Sequence, residues 1–283
     1  MEDNYDFSLS QNVLANIKEK ILSNKYALSP LRLRFINNKD DLEEYLMEYL
    51  LDYPDVLVEK WTEDSKILGV VTPKSKEDAL VLRALSLTLL RLYQGGLPKD
   101  CFQLDDLVAS FHSSLQLIGK AQKIYKIDLE LSKNFLPIHV FDEKIQSIVG
   151  DSFLYRLISS FLHNPILDDY GLGLPGIGGI PLVGEITKVL FHIFLKETLD
   201  REFPICFPGI PYYRFHNEVY VSIIGNEKVL FDEKAVLNLL YELSLLGKIN
   251  SIGPGDDPLL CCFDKWLFVD SDSNVQLSSY FFL

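Results

Sequence analysis

Three consecutive residues, His216, Asn217 and Glu218, combine an imidazole, an amide and a carboxylate. Such groups can supply nitrogen and oxygen ligands to a metal ion. No second histidine or cysteine lies near them in the sequence, and a single histidine between two strand-like segments is usually hydrogen-bonded. On their own, the three residues therefore predict a hydrogen-bonded turn and no metal site.

Other short patterns that carry chemistry elsewhere are incomplete in this chain. The glycine-rich segment GLGLPGIGGIP lacks the GK[ST] ending and the GxGxxG frame of phosphate-binding loops. The Gly-Asp-Asp run at 255–257 lies between two prolines, which favours a solvated turn. No GxSxG or Cys-His frame of a hydrolase is present. The cysteines lack metal-ligand spacing, and we expect them to be reduced interior residues: Cys101, Cys206, Cys261 and Cys262.

The elements that must position these residues follow from hydrophobic periodicity. Period-two patterns predict strands at LRLRFI, ILGVVT, KIYKIDLEL, both halves of YYRFHNEVYVSII, and KWLFVD. Helical periods predict helices at Asp40–Tyr53, Ala79–Tyr93, Leu104–Ile118, 143–163, Val183–Asp200 and Glu233–Leu246. This order of elements predicts an α+β fold in which antiparallel strands are covered by helices.

The charge of the chain limits its partners. In 283 residues, 27 basic and 40 acidic side chains give a net charge of −13, whereas nucleic acid-binding proteins usually present basic surfaces. Any contact with nucleic acid must therefore be local. No apolar run reaches the roughly 18 to 20 residues of a bilayer helix, so we expect a soluble protein without a membrane partner. The acidic start has neither a secretory signal nor a transit-peptide character.

The segment GIPLVGEITKVLFHIFL, residues 179–195, carries the most specific motif of the chain. It resembles the palm loop and helix of group II intron reverse transcriptases and maturases, GxPQGxxxSPLLxNIYL, with Gly179, Pro181 and Gly184 in place. In that family the loop lies beside the incoming nucleotide, and its glutamine contacts that site. Leu182 occupies the glutamine position here, and its apolar side chain cannot supply the hydrogen bond.

The segment YYRFHNEVYV is similar to the family's hairpin YxRYADDxxI, whose paired aspartates hold the catalytic magnesium ions. Asn217 and Glu218 take the aspartate positions. The third carboxylate of the family lies on a preceding strand in a pattern like DIKxFFDxI, where the best register assigns Glu130, with Asp128 as the alternative. Magnesium needs hard, negatively charged oxygen ligands, so the resemblance implies a degenerate site with no catalytic residue, metal or cofactor.

Strand alternation predicts how this hairpin packs. Phe215, Asn217 and Val219 should share one face, and His216 and Glu218 the other. Cutting Val219 to Ala should cost about 1 to 3 kcal/mol if it is buried. Asn217→Ala and Glu218→Gln should change stability by less than about 0.5 kcal/mol if both groups are solvated.

Upstream, KILGVVTPKSK is similar to the family's finger segment KxRPLGIPTPRDR, whose basic side chains hold template and triphosphate. The equivalents, with two arginines of the LRLRFI strand, are the RNA-binding candidates: Arg32, Arg34, Lys66, Lys74 and Lys76. The resemblance covers about residues 12–250 and implies fingers at 1–122 and a palm at 123–250 of a right-hand polymerase fold. A strand-rich extension, 251–283, would follow, with no thumb, maturase or endonuclease domain.

Two functions compete at this point. The first is a catalytically inactive maturase-like protein that binds group II intron RNA or splicing partners in an organelle, a mitochondrion rather than a plastid. The second is an acidic scaffold that docks proteins and touches no nucleic acid. An active polymerase ranks last, because displacing reacting groups by about an ångström can cost around a hundredfold in rate.

Overall fold

The protein is represented by a computed structural model, in which the described residues are 18–21, 23, 26–36, 68–93, 123–150, 153–168, 170–173, 179–223, 232–254, 256, 259–261, 265–269 and 275–278. The chain forms two compact units. The first comprises Met1–Ser86, Val149–Gly176 and Val183–Ile186, and the second comprises the remaining segments up to Leu283. These units divide the chain differently from the predicted limits at 122 and 250, because residues 149–176 join the first 86. Those limits, as boundaries of fingers and palm, stay a prediction.

The first unit contains a three-stranded sheet in the order β2-β1-β4. Strand β1 (Leu31–Ile36) pairs antiparallel with β2 (Leu68–Thr72) and parallel with the short β4 (Ile166–Leu167). Helix α1 (Lys76–Tyr93) begins after β2, and the buried Asp78 in its first turn accepts hydrogen bonds from Tyr26 and Ser75. Strands β1 and β2 and helix α1 confirm the sequence predictions for these segments.

The second unit contains a four-stranded antiparallel sheet in the order β5-β6-β3-β7. Its strands are β3 (Lys123–Asp128), β5 (Tyr212–Phe215), β6 (Glu218–Ile223) and β7 (Lys248–Ile252). The inner strands β3 and β6 are buried along four consecutive residues each. Burial of consecutive residues means that both faces of the sheet are covered, as in the predicted α+β arrangement.

The helices that follow α1 in the described residues are α2 (Ser132–Phe135), α3 (Ile138–Val149), α4 (Phe153–Leu162), α5 (Gly184–Glu197), α6 (Leu199–Cys206) and α7 (Glu233–Glu242). Helices α3 and α5 pack through Phe141 and Phe194, whose ring centroids lie 5.1 Å apart. Near the C-terminus, β8 (Leu259–Cys261), β9 (Lys265–Val269) and β10 (Val275–Ser278) form an antiparallel sheet. Within the described ranges, no helix is both long and apolar enough to cross a bilayer.

Three helix predictions were wrong in their limits, and one of these, the helix predicted at Glu233–Leu246, ends at Glu242. The helix predicted at 143–163 is two helices, α3 and α4, because Gly150 has a φ of 74° and ends α3 in the left-handed conformation. The helix predicted to reach Asp200 ends at Glu197, and α6 starts at Leu199. The helices predicted at Asp40–Tyr53 and Leu104–Ile118 lie outside the described residues. Cys206, which we expected in the interior, is exposed at the end of α6.

Candidate functional site

The β5–β6 hairpin turns through His216 and Asn217, and His216 has a φ of 50°. A two-residue turn brings the flanking residues directly opposite each other, so Phe215 pairs with Glu218 and Arg214 pairs with Val219. Directly opposed residues of antiparallel strands point to the same face. The expectation that Phe215 shares a face with Val219 was therefore wrong, because alternation does not continue through the turn. Val219 itself is fully buried, as the prediction for its substitution requires.

Strand β3 ends at Asp128, so the prediction that Glu130 lies on the strand was wrong. The Asp128 carboxylate accepts a hydrogen bond from the backbone N–H of Glu130 at 2.9 Å. This local turn competes with the strand ladder and bends the chain away. Asp128 pairs across the sheet with Glu218, and the next residue, Leu129, donates its N–H to the carbonyl of Asn217 at 2.8 Å. Both candidate carboxylates therefore lie beside the hairpin.

Glu130 contacts the hairpin through Asn217. The amide of Asn217 donates a hydrogen bond to Oε2 of Glu130, and the Nζ of Lys133 lies 2.5 Å from Oε1. The structure thus brings together two of the three predicted positions, Asn217 and Glu130, in a hydrogen bond. Lys133, on helix α2, is itself buried.

Glu218 has a different set of partners on the sheet. Its Oε1 lies 2.5 Å from the Nζ of Lys126 on β3, and its Oε2 accepts a hydrogen bond from the Tyr220 hydroxyl. The Lys126 and Glu218 side chains are only 10% and 16% exposed, so water screens this ion pair weakly. The expectation that Glu218 is solvated was therefore wrong. Asn217 is half-buried as well.

This donor set does not fit a pair of magnesium ions. Such a pair needs several free, negatively charged oxygen atoms that bridge the metals. Here Glu130 and Glu218 each contact a lysine ammonium group, and Asn217 directs its N–H donors toward Glu130. Within the part of the chain that the structure describes, no group of three or more His, Cys, Asp or Glu side chains could hold a metal ion.

The palm loop of the predicted motif packs on helix α2. Gly179 has a φ of 138°, and a Cβ at this position would lie 2.5 Å from the carbonyl carbon of Asn134. The next residue, Ile180, donates its N–H to the carbonyl of Lys133 at 3.1 Å. Pro181 is buried and its carbonyl accepts from the Thr187 hydroxyl. Only glycine permits this close approach of two backbones.

Leu182 and Gly184 are the other two positions of the loop motif. Leu182 is half-buried, and Gly184 starts helix α5 with a φ of 51°. A positive φ is unfavourable for residues with a side chain, which explains a glycine at this helix start.

A buried network next to the hairpin was missed in the sequence. Arg214 of β5 forms a two-pronged contact with Asp200 of α6, with Nε at 2.7 Å from Oδ1 and Nη2 at 2.5 Å from Oδ2. The Tyr212 hydroxyl also donates to Asp200, and Nη1 of Arg214 donates to the carbonyl of His216 at 2.9 Å. The Arg in YxRYADD and an Asp after the motif helix were the available signals, but nothing in the sequence paired them.

The charges of this network affect two histidines. Burial, reinforced by the positive charge of Arg214, lowers the pKa of His192 to about 3. His192 is therefore neutral near pH 7, and its Nδ1 lies 3.2 Å from Nη1 of Arg214 as an acceptor. Loss of hydration and the charges of Lys188 and Arg214 also lower the pKa of His216. Burial lowers the pKa of Arg214, but the hydrogen bonds and charge of Asp200 together with the contribution of Tyr212 outweigh it, so the pKa of Arg214 is raised.

The basic candidates of the finger segment lie in the first unit. Arg32 of β1 pairs with Thr72 of β2, and the exposed Lys74 follows two residues later at the same end of the sheet. Arg34 lies opposite Val70, and Lys76 is the first residue of α1. Lys66 lies outside the described residues.

Comparison with solved structures relates this arrangement to known proteins. Telomerase from Candida albicans, determined in complex with a TWJ fragment of telomeric RNA, superposes on 85% of this chain with a TM-score of 0.55 and 10% sequence identity. The chain has a reverse-transcriptase-like fold. Apo telomerase from Candida tropicalis, truncated from its C-terminal domain, has a TM-score of 0.48 and 12% sequence identity. That match covers 94% of this chain and 60% of the telomerase chain.

A sequence relative comes from maize. An uncharacterised 39 kDa protein in mitochondrial S-1 and S-2 DNA of Zea mays is 26% identical over 225 residues, which cover 78% of this chain. The chain spans 65% of that protein and 49% of the Candida albicans telomerase chain. No protein-family model matches the chain.

Proposed function

We propose that this protein is a catalytically inactive relative of reverse transcriptases, which binds RNA or splicing partners during group II intron splicing in a mitochondrion. The observation that carries the loss of catalysis is the Asn217–Glu130 hydrogen bond at the tip of the hairpin. In the family that the hairpin resembles, this position holds an ion-binding aspartate. Here it holds Asn217, whose neutral amide donates to a carboxylate. Few free anionic oxygens then remain to hold the metal ions of phosphoryl transfer.

The intron and mitochondrial parts of the proposal have separate support. The palm-loop motif from Gly179 and the hairpin frame from Tyr212 resemble those of group II intron maturases. The maize relative is described as a protein in mitochondrial DNA. An RNA site in the first unit is supported by Arg32 and Lys74, which the register of β1 and β2 brings to one end of the sheet.

Primer extension tests the loss of catalysis. Purified protein is incubated with a primed RNA or DNA template, deoxynucleotides, and magnesium or manganese. We expect no extension above a control without protein. Template-dependent incorporation that disappears in Glu218→Ala would refute the proposed loss of catalysis.

Crosslinking and sequencing of bound RNA tests the proposed binding to intron RNA. We expect group II intron sequences to be enriched over other mitochondrial transcripts, and Arg32→Gln with Lys74→Gln to weaken the binding. Lys234→Gln is the matched control for each single substitution, since it also removes one positive charge and Lys234 is an exposed lysine on α7 of the second unit. Equal loss in the control would mean that binding follows net charge and no defined surface.

The scaffold alternative also has an observation in its favour. The net charge of −13 opposes binding to phosphates, and several large apolar side chains are exposed, among them Phe135 at 62% and Tyr241 at 81%. Exposed aromatic side chains are frequent in protein interfaces. A nuclease-resistant complex with other proteins, combined with no crosslinked RNA, would favour the scaffold.

A further inference from the structure

Two buried lysines each form an ion pair with one of the two carboxylates, Glu130 and Glu218, of the predicted site. Lys126 on β3 and Lys133 on α2 are 8% and 7% exposed, although lysine is rarely buried. A buried ammonium group is costly unless an anion compensates it. The Nζ of Lys126 lies 2.5 Å from Glu218, and the Nζ of Lys133 lies 2.5 Å from Glu130.

All four oxygens of the two carboxylates have a partner. On Glu130, Oε1 contacts Lys133 and Oε2 accepts from the amide of Asn217. On Glu218, Oε1 contacts Lys126 and Oε2 accepts from the Tyr220 hydroxyl. At each of these oxygens, a divalent ion would therefore compete with an ammonium group or a hydrogen-bond donor.

The backbone holds both lysines in place. Lys126 lies in the middle of β3, between its partners Tyr220 on β6 and Asn250 on β7. Lys133 lies on α2, where the Ser132 hydroxyl donates to the carbonyl of Leu246 at 2.6 Å and accepts from its N–H at 3.0 Å. The close approach of the Gly179 loop fixes the other side of α2. These contacts fix the backbone from which each lysine side chain reaches its carboxylate.

We propose that the ammonium groups of Lys126 and Lys133 are the permanent cations of this site, in place of divalent metal ions, and that their removal uncovers a divalent-cation site. This inference deepens the proposed loss of catalysis and rests on it. In the wild-type protein, the two lysines neutralise the charges of Glu130 and Glu218. The stability of the protein is therefore independent of magnesium and manganese. Methionine approximates the volume of lysine without its charge, which makes Lys→Met the appropriate change.

Thermal unfolding with manganese or magnesium chloride, against EDTA, tests the proposal. We expect the melting temperature of the wild-type protein to be the same in all three solutions. Lys126→Met with Lys133→Met should lower it in EDTA by about 5 to 10 °C, because two carboxylates lose their counter-charges. Manganese should then raise it by about 5 to 10 °C at a hundredfold excess over Kd.

Further variants assign the effect to the site. Adding Glu130→Gln to the double variant should abolish the manganese response, and Lys234→Met should behave like the wild type throughout. If the double variant does not fold, Lys133→Met alone is measured, because its partner Glu130 is 52% exposed and tolerates the loss better. A metal-dependent rise in the wild type, or no metal response in any folded lysine variant, would overturn the proposal. The measurement contains no RNA, so its failure is distinct from a failure to bind RNA.

Discussion

At the scale of single residues, the carboxylate of Glu218 in the hairpin has its partners within the protein. It forms an ion pair with Lys126 and accepts a hydrogen bond from the Tyr220 hydroxyl. Removing one member of a buried pair costs more than the pair contributes, because the other charge stays buried and unpaired. The residue therefore matters for stability.

Glu218→Gln should consequently destabilise the protein by about 3 kcal/mol, since it leaves the Lys126 ammonium group without its counter-charge. This replaces the expectation of less than about 0.5 kcal/mol that followed from a solvated side chain. Urea denaturation of both proteins at pH 7 measures the difference. Glu242→Gln, at an exposed position on α7, serves as the control and should stay within about 0.5 kcal/mol. Equal values for the two variants would contradict the buried pair.

His192 makes the stability of the second unit depend on pH. Its pKa is about 3 in the folded protein, below the ordinary value of 6.5, because burial and Arg214 oppose the charged form. Below pH 6.5 the unfolded chain takes up a proton that the folded protein does not, so stability is present above pH 6.5 and is lost as pH falls toward 3. His192 should contribute a loss of about 2 kcal/mol between pH 8 and pH 5.

The measurement is urea denaturation of wild type and His192→Gln at both pH values. The glutamine carbonyl can still accept from Arg214 but does not titrate, so the variant should lose less stability on acidification. His163→Gln, a change at an exposed histidine on the surface, is the control for the other histidines. An identical pH dependence in wild type and His192→Gln would show that His192 titrates normally.

At the scale of elements, the hairpin is held from two directions. Arg214 links β5 to α6 through Asp200 and supports the carbonyl of His216, the residue with the positive φ. On the other side, the Gly179 loop lies on α2, which supplies Lys133 to Glu130. Gly179 thus acts through backbone packing on α2.

Gly179→Ala should disrupt this packing. The new Cβ would meet the backbone of Asn134 at 2.5 Å, which no rotation of a side chain can relieve. Gly209→Ala is the matched control, since Gly209 has a φ of 79° but open space where a Cβ would lie. Both variants carry the strain of a positive φ, about 1 to 2 kcal/mol. Gly179→Ala should cost about 1 to 3 kcal/mol more than Gly209→Ala in denaturation experiments. Equal costs would mean that the loop moves freely on α2.

At the scale of the whole molecule, charge decides how nucleic acid can be bound. A net charge of −13 repels a phosphate backbone at long range, so binding depends on a few cations on one surface. Three cations near the hairpin, Lys126, Lys133 and Arg214, have carboxylate partners. They cannot add to the phosphate contacts while they stay paired.

The salt dependence of RNA affinity should therefore be shallow. The slope of log affinity against log salt is about −0.7 per phosphate contact for single strands and near −0.9 for duplexes. Fluorescence anisotropy with labelled intron RNA over a range of potassium chloride concentrations gives this slope. We expect a value shallower than about −6, and a value typical of six to ten contacts would show an extended basic surface.

Local sequence patterns specify the frame of the site. The hairpin strands follow from alternating apolar residues, and the positions of Asn217 and Glu218 at and after its turn follow from the short distance along the chain. The α+β class and the reverse-transcriptase-like fold were likewise predicted, and the similarity to telomerase confirms them at this level. The strands and the α+β class rest on local patterns of apolar residues, whereas the reverse-transcriptase-like fold was implied by the resemblance of two segments to motifs of a known family.

The partners of the charged groups depend on contacts between segments that are far apart in the sequence. Asn217 and Glu130 are 87 residues apart, and Ser132 and Leu246 are 114 apart, so no local pattern relates them. Lys126 looks like any strand lysine until the strand order β5-β6-β3-β7 places it beside β6 and within reach of Glu218. Sheet order and register are set by the packing of the whole unit. They determine whether a carboxylate faces water, a metal ion or a lysine.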